Sequence, residues 1–184
     1  MNINRQRGFT LIEVAVVVMI VATISAMSLL AINQAFDRRY ANEADRLRIW
    51  LQQLSERSAL EGAAYGVIEE KSESAAGRLR AVAYYRMRWV AVTSPQPFTL
   101  SDDATIDWLV DAASESEELL PQEESLFDKQ GAEIERLLPE IAFLPDGYIE
   151  PKAEIQLGFE GISDRYGYQW DESVSGIAME RYRQ

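Results

Sequence analysis

Apolar residues are spread unevenly along the chain. From Phe9 to Ile32 the sequence reads FTLIEVAVVVMIVATISAMSLLAI, with a single charge, Glu13. As a helix rising about 1.5 Å per residue, this stretch spans roughly 36 Å, enough to cross a hydrocarbon core of about 30 Å. Beyond Ile32 the helical rhythm continues. Leu47, Trp50, Leu51, Leu54 and Ser58 share one stripe, and Asp45, Arg48, Gln52 and Glu56 fall on the opposite, solvated face. Gly62, directly after Leu60-Glu61, fits a C-terminal cap. The spacing predicts one helix over residues 9–61, with residues 9–32 in lipid and an amphipathic extension through 33–62 packed on a sheet. The Trp50 stripe reads as core rather than as a cofactor site.

After Gly62 the pattern turns to short apolar runs, so residues 63–184 form a β-rich globular domain. Residues 64–69 are a strand, and Lys71 to Arg78 (KSESAAGR) a turn or exposed loop. The segments 79–85 and 88–93, rich in Val, Tyr and Trp, form paired strands that Pro95 and Pro97 end. Ile141 to Leu144 is a strand closed by Pro145-Asp146-Gly147, where Pro suits the second position of a type I turn and Gly the fourth. Asp146 there is structural. Residues 148–149, 153–159, 166–170 and 175–179 supply the remaining strands and close the sheet. The fold class is α+β, a long N-terminal helix packed on a C-terminal antiparallel sheet.

The chain has 184 residues, 30 acidic and 18 basic, for a formal net charge of −12. Without residues 1–8, and so without Arg5 and Arg7, 16 basic residues would face 30 acidic ones, a charge of −14. Such a surface repels phosphate backbones and argues against nucleic-acid binding through a basic groove. There is no cysteine and hence no disulfide framework. There is no histidine either, which removes the usual general base near neutral pH and most zinc sites. A single-pass membrane enzyme would have only carboxylates, Ser, Lys and Tyr for its chemistry; a pair drawn from Glu160, Asp164, Asp171 and Glu172 is imaginable, but these read more simply as scattered surface acids. The reading is of a non-enzymatic protein without cofactor or metal.

The acidic insertion 101–125 holds nine acidic residues and no basic ones. Its composition suggests a solvated loop with a short helix. A calcium loop usually needs a glycine at its sharp turn, and this stretch has none.

Glu13 is the oddity of the apolar helix. A carboxylate inside a membrane helix costs about 2.5–3.5 kcal/mol on insertion scales, so it needs a partner and a purpose. A plain anchor explains the length but not Glu13. A secretory signal peptide would be shorter and would end in a better small-residue site than those near Ala26 and Ala31. Arg5 and Arg7 place the N-terminus in the cytoplasm by the positive-inside rule, an asymmetry that Arg38 and Arg39 weaken.

Gly8-Phe9-Thr10-Leu11-Ile12-Glu13, behind a short basic leader and ahead of an apolar helix, resembles the type III signal of type IV pilins and pseudopilins. That resemblance implies a pilin-like fold and a leader, residues 1–8, cut after Gly8 by the membrane prepilin peptidase. It also implies a methylated mature N-terminus at Phe9. Glu13 would then neutralise the N-terminal amine of a neighbouring subunit and set the register of assembly, because a charge buried among packed helices is costly unless paired.

Three stretches of the soluble part are similar to minor pseudopilin H of type II secretion systems, also called general secretion pathway protein H. They are residues 44–66, where a leucine-rich helix runs into a glycine and a strand, 80–98 with Trp89, and 138–149 with its Pro and Gly turn. The resemblance implies assembly near the pseudopilus tip with minor pseudopilins I, J and K, above major pseudopilin G. The chain would be anchored in the inner membrane with its domain in the periplasm, supporting export of folded proteins across the outer membrane. The nearest rival is a minor type IV pilin of the fimbrial T or U kind.

Overall fold

The computed structural model describes residues 10–72, 75–110, 137–171 and 176–183. The chain divides into two compact units, Met1–Asn42 and Glu43–Gln184.

Helix α1 runs Leu11–Glu61, and neither glycine nor proline interrupts it. Its first turn is closed at Thr10, whose carbonyl accepts from the amides of Glu13 and Val14 at 3.1 and 3.2 Å. Its last turn ends at Gly62, which takes the left-handed conformation (φ 65°) and donates its amide to the Ser58 carbonyl at 3.0 Å. The expected glycine cap is therefore present, for the reason that a Cβ makes this conformation unfavourable.

In the second unit the helix carries the expected stripe. Leu47, Leu51, Leu54 and Ser58 are fully buried and Trp50 nearly so. Among the described residues ten strands follow: β1 (Tyr65–Ser72), β2 (Ala75–Tyr84), β3 (Trp89–Ala91), β4 (Phe98–Thr99), β5 (Ala104–Val110), β6 (Ile141–Phe143), β7 (Ile149–Glu150), β8 (Ala153–Phe159), β9 (Asp164–Asp171) and β10 (Gly176–Arg183). They form two antiparallel sheets, not the single one expected. The first has the order β3-β2-β1-β6-β7 with β4 also paired to β2, and the second the order β10-β9-β8-β5. β6 pairs with β1, whereas β5 pairs with β8, so the two strands nearest the 111–136 segment go to different sheets.

The helix binds both sheets. The Ser58 hydroxyl lies 2.8 Å from the carbonyls of both Phe143 in β6 and Ala63, sharing one proton between them. On the other sheet, the Tyr168 hydroxyl of β9 donates to the Ala44 carbonyl and the Ile177 amide of β10 donates to Gln52. Gln52 thus serves the β10 edge instead of belonging to a wholly solvated face. Between the sheets the rings of Phe143 and Trp170 lie 5.1 Å apart.

Two polar segments depart from expectation. The described part of Lys71 to Arg78 is strand rather than turn or loop: β1 extends to Ser72 and β2 begins at Ala75, with Ser72 paired to Ala75 and a register shift between Glu70 and Ser72, while residues 73–74 lie outside the described residues. Backbone pairing depends little on side-chain polarity. Here the Arg80–Glu70 ion pair (3.0 Å) and the 2.9 Å bond from the Leu100 amide to the Gly77 carbonyl hold the extended hairpin.

Residues 104–110 of the acidic insertion form β5 rather than a solvated loop. Ile106 points into the core, Asp107 pairs with Arg165 of β9, and the Trp108 indole donates to Glu69 of β1 at 3.0 Å. Neutralising Asp107 leaves an alternating strand that the acidic composition obscured. Residues 101–103 of the insertion form a turn closed by the 3.0 Å bond from the Ala104 amide to the Ser101 carbonyl, and residues 111–125 lie outside the described residues.

The 145–147 turn forms as expected. The Gly147 amide (φ 90°) donates to the Leu144 carbonyl at 3.0 Å, and Asp146 accepts from the Tyr148 amide at 3.2 Å. Asp146 is structural.

Candidate functional site

The first turn of α1 sets the position of Glu13. Thr10 sits at the N-cap, and the Glu13 amide approaches both its carbonyl (3.1 Å) and its hydroxyl (3.3 Å). Thr10-Leu11-Ile12-Glu13 has the spacing of a capping box, in which the residue three beyond the cap carries a carboxylate. An acid is also favoured at this end of a helix by the positive pole of its dipole. Spacing and dipole therefore favour an acid at position 13 on local grounds, beside the assembly role that its place in an apolar segment suggests.

The helix that follows is apolar and uncovered within its own unit. Leu11–Ser28 is long and apolar enough to cross a membrane, with a mean hydropathy of 2.3, and none of it is buried. Leu11, Ile12, Val18, Met19 and Met27 all stand well exposed. Two of its hydroxyls are satisfied within the helix: Thr23 donates to the Met19 carbonyl at 2.7 Å and Ser28 to that of Ile24 at 2.9 Å. Internal satisfaction of this kind is what a hydrocarbon environment demands. Gly8 and Phe9 lie outside the described residues, so the structure places only Glu13 of the three site residues expected from sequence.

Of the four acids considered for catalysis, the two whose side chains are described, Glu160 and Asp164, stand as separate surface groups. Asp164 is engaged by Arg181, and Arg183 lies 3.9 Å away. Glu160 stands in the β8–β9 turn, exposed to solvent. The side chain of Asp171, and residue 172, lie outside the described residues. A cavity of about 420 Å³ opens beside β5, β7, β8 and β9, lined in part by Leu109, Tyr148, Ile149 and Trp170, with Lys152 and Glu154 as its charged groups. It has the character of an apolar surface groove rather than of a site built to move protons.

One feature of the second unit has no signal in the sequence. The paired runs 79–85 and 88–93 leave two residues between them, so the hairpin is legible, but Arg86 and Met87 both adopt positive φ, 50° and 62°. Neither residue type marks such a turn, which ordinarily uses Asn or Gly.

The sequence profile of the prokaryotic N-terminal methylation motif matches residues 3–29. No curated protein sequence matches the chain. Two solved structures of the minor pseudopilin EpsH from the type II secretion system of Vibrio cholerae are similar to it. One is 15% identical with a TM-score of 0.47, covering 76% of this chain and 93% of that one. The other is 17% identical with a TM-score of 0.48, covering 74% and 89%.

Proposed function

We propose that the chain is a minor pseudopilin of the H type, a non-enzymatic component of a type II secretion system. The observation that carries this reading is the coincidence of three features at one place. The methylation motif over residues 3–29 overlays an exposed apolar helix of membrane-spanning length, and that helix holds one carboxylate, Glu13.

In this reading prepilin peptidase cuts after Gly8 and the new N-terminal Phe9 is methylated. The helix anchors the protein in the inner membrane in a single pass, with the N-terminus cytoplasmic and the β domain periplasmic. On assembly, Glu13 pairs with the N-terminal amine of a neighbouring subunit, so that neither charge is buried alone. The protein joins minor pseudopilins I, J and K and major pseudopilin G near the pseudopilus tip and supports export of folded proteins. A long helix leading into antiparallel sheets, and the strand and turn at 141–147, fit the resemblance of residues 44–66, 80–98 and 138–149 to that family. The acid excess of the chain favours this reading over a DNA-handling pilus.

Intact mass of the membrane-extracted protein tests it. The expected product lacks residues 1–8 and carries one added methyl group. An unprocessed N-terminus in a strain with active prepilin peptidase overturns the pilin reading. Deletion of the gene separates the two pilin-like roles: loss of enzyme secretion with twitching retained supports the pseudopilin, and the reverse supports a fimbrial component.

A further inference from the structure

The connection between β2 and β3 is built for contact. Tyr85 and Arg88 close a two-residue turn, with the Tyr85 amide 2.8 Å from the Arg88 carbonyl. Arg86 and Met87 hold left-handed backbone at its tip, a conformation that disfavours side chains by roughly 1 kcal/mol each. The tip is nevertheless held firmly from below. Tyr84 packs edge-on against the buried Trp89 with ring centroids 5.3 Å apart, and its hydroxyl reaches the Met87 sulfur at 3.6 Å.

What the tip presents is Tyr85, 55% exposed, Met87, 47% exposed, and the Arg86 guanidinium 5.1 Å over the Tyr85 ring. Tyr, Met and Arg are the residue types enriched where proteins meet. Among the described residues neither Arg86 nor Arg88 makes an ion pair, although the chain holds 30 acidic residues against 18 basic ones. Two such cations in so acidic a chain are a charge surplus at one point.

The complement lies at the other end of the same unit. The Tyr84 amide binds the Ala64 carbonyl, which puts the tip beside the C-terminal end of α1. After β3 the chain runs back down the helix: the Trp50 indole donates to the Gln96 carbonyl at 2.8 Å, and the Ser101 amide donates to Glu43 at 2.8 Å. From Glu43 to Glu61 the helix rises about 27 Å. At the Glu43 end a concavity of about 330 Å³ is lined by Asp102, Asp103 and Glu160 together with Arg165, whose guanidinium is already taken by Asp107.

We propose that the β2–β3 tip docks into the acidic Asp102–Glu160 end of a second copy of this chain. The contact is head-to-tail: each copy offers a cationic tip at one end of its second unit and an acidic notch at the other, so the two copies meet through different surfaces. Tyr85 and Met87 supply apolar area at the centre, and the two arginines steer and fix the register.

The chain contains no cysteine, so single cysteines report the contact cleanly. Purified full-length chains carrying Met87→Cys and Ile162→Cys are mixed in neutral detergent micelles and oxidised. With the two chains in equal amounts, a mixed 87–162 disulfide well above the twofold excess over each like-with-like product that random pairing gives is the expected result. Adding R86E and R88E to the first chain should lower its yield by about tenfold, and D102K with E160K in the second should then restore it. A mixed disulfide at or below twice the 87–87 product, or a yield indifferent to these charges, overturns the proposal. So does a tip that binds vesicles of anionic lipid while forming no intermolecular disulfide. The crosslink reads contact between copies and the methylated N-terminus reads maturation, so this proposal and the pseudopilin reading can fail separately.

Discussion

The Tyr168 hydroxyl donates a 2.9 Å hydrogen bond to the main-chain carbonyl of Ala44, 124 residues earlier in the chain. Tyr168 is fully buried in β9, and this bond ties the second sheet to the amphipathic part of α1. The carbonyl keeps its place in the helical ladder, so removing the hydroxyl costs one bond without orphaning the acceptor. Tyr168→Phe should therefore cost about 1 kcal/mol. For a unit of this size that corresponds to a melting temperature lower by roughly 2–4 °C. Near-UV circular dichroism of the full chain in detergent measures it, and an unchanged melting temperature would show that the bond contributes nothing net.

The same phenol makes stability sensitive to alkali. Burial, followed by the negative charge of Asp45, raises the Tyr168 pKa far above the ordinary value for tyrosine. Burial, followed by its hydrogen bond to Glu61, pushes Tyr65 up to about 12. In the unfolded chain both titrate near about 10. Below that pH both states hold the protons and the contribution to stability is complete. Above it the unfolded chain loses protons that the native state retains, so stability falls as pH rises toward the folded values. The denaturant midpoint should drop between about pH 9 and pH 11, and Y65F/Y168F should flatten the drop. An identical slope in the double variant would assign the alkaline loss to other groups.

Two glycines in strands differ in what surrounds them. A Cβ on Gly66 in β1 would lie 2.6 Å from the Pro139 Cβ and 3.0 Å from Val82, both in packed surroundings. A Cβ on Gly167 in β9 would lie 2.4 Å from the Tyr182 ring and 2.7 Å from the Glu154 carboxylate, which are outlying side-chain ends that can swing away. Gly66→Ala should cost about 1–3 kcal/mol by overpacking, and Gly167→Ala distinctly less. Urea denaturation of the two variants side by side checks the order, and equal losses would mean that Pro139 gives way as readily as Tyr182.

Much of this architecture was legible because it rests on periodicity and turn chemistry. The Leu47-to-Ser58 stripe, the Gly62 cap, the 145–147 turn and the β8 limits all follow from side-chain spacing or from glycine and proline. What was hidden depends on pairing across distance. Asp107 looks like a solvated acid until Arg165, 58 residues later, is brought beside it, and only then does 104–110 read as a strand. Gln52 looks solvated until Ile177 arrives 125 residues on. The division into two sheets is a choice of partners for β5 and β6, which no local pattern encodes. At the candidate site Glu13 stood out through its isolation among apolar residues. The cationic turn at Arg86 and Met87 carried no such signal, since neither residue favours its backbone conformation.

Glu13 permits a separation of membrane insertion from assembly. Its carboxylate opposes insertion by about 2.5–3.5 kcal/mol, so Glu13→Leu should enter the membrane at least as well as the natural chain. The capping geometry adds only a local term: the Glu13 amide binds Thr10 through its main-chain and hydroxyl oxygens whatever side chain it carries. Thr10→Ala removes the cap hydroxyl, at a cost of about 1 kcal/mol, while leaving the charge in place. If Glu13 pairs with the amine of a neighbouring subunit, Glu13→Leu and Glu13→Gln should both be cleaved after residue 8 and remain in the membrane. Both should be absent from crosslinked assemblies extracted from it, whereas Thr10→Ala should still be present. Quantitative immunoblotting of the membrane and assembled fractions reads all three variants. Normal incorporation of Glu13→Leu would leave the carboxylate with a helix-starting role alone, since charge pairing is the only one of its two roles that a leucine cannot imitate in part.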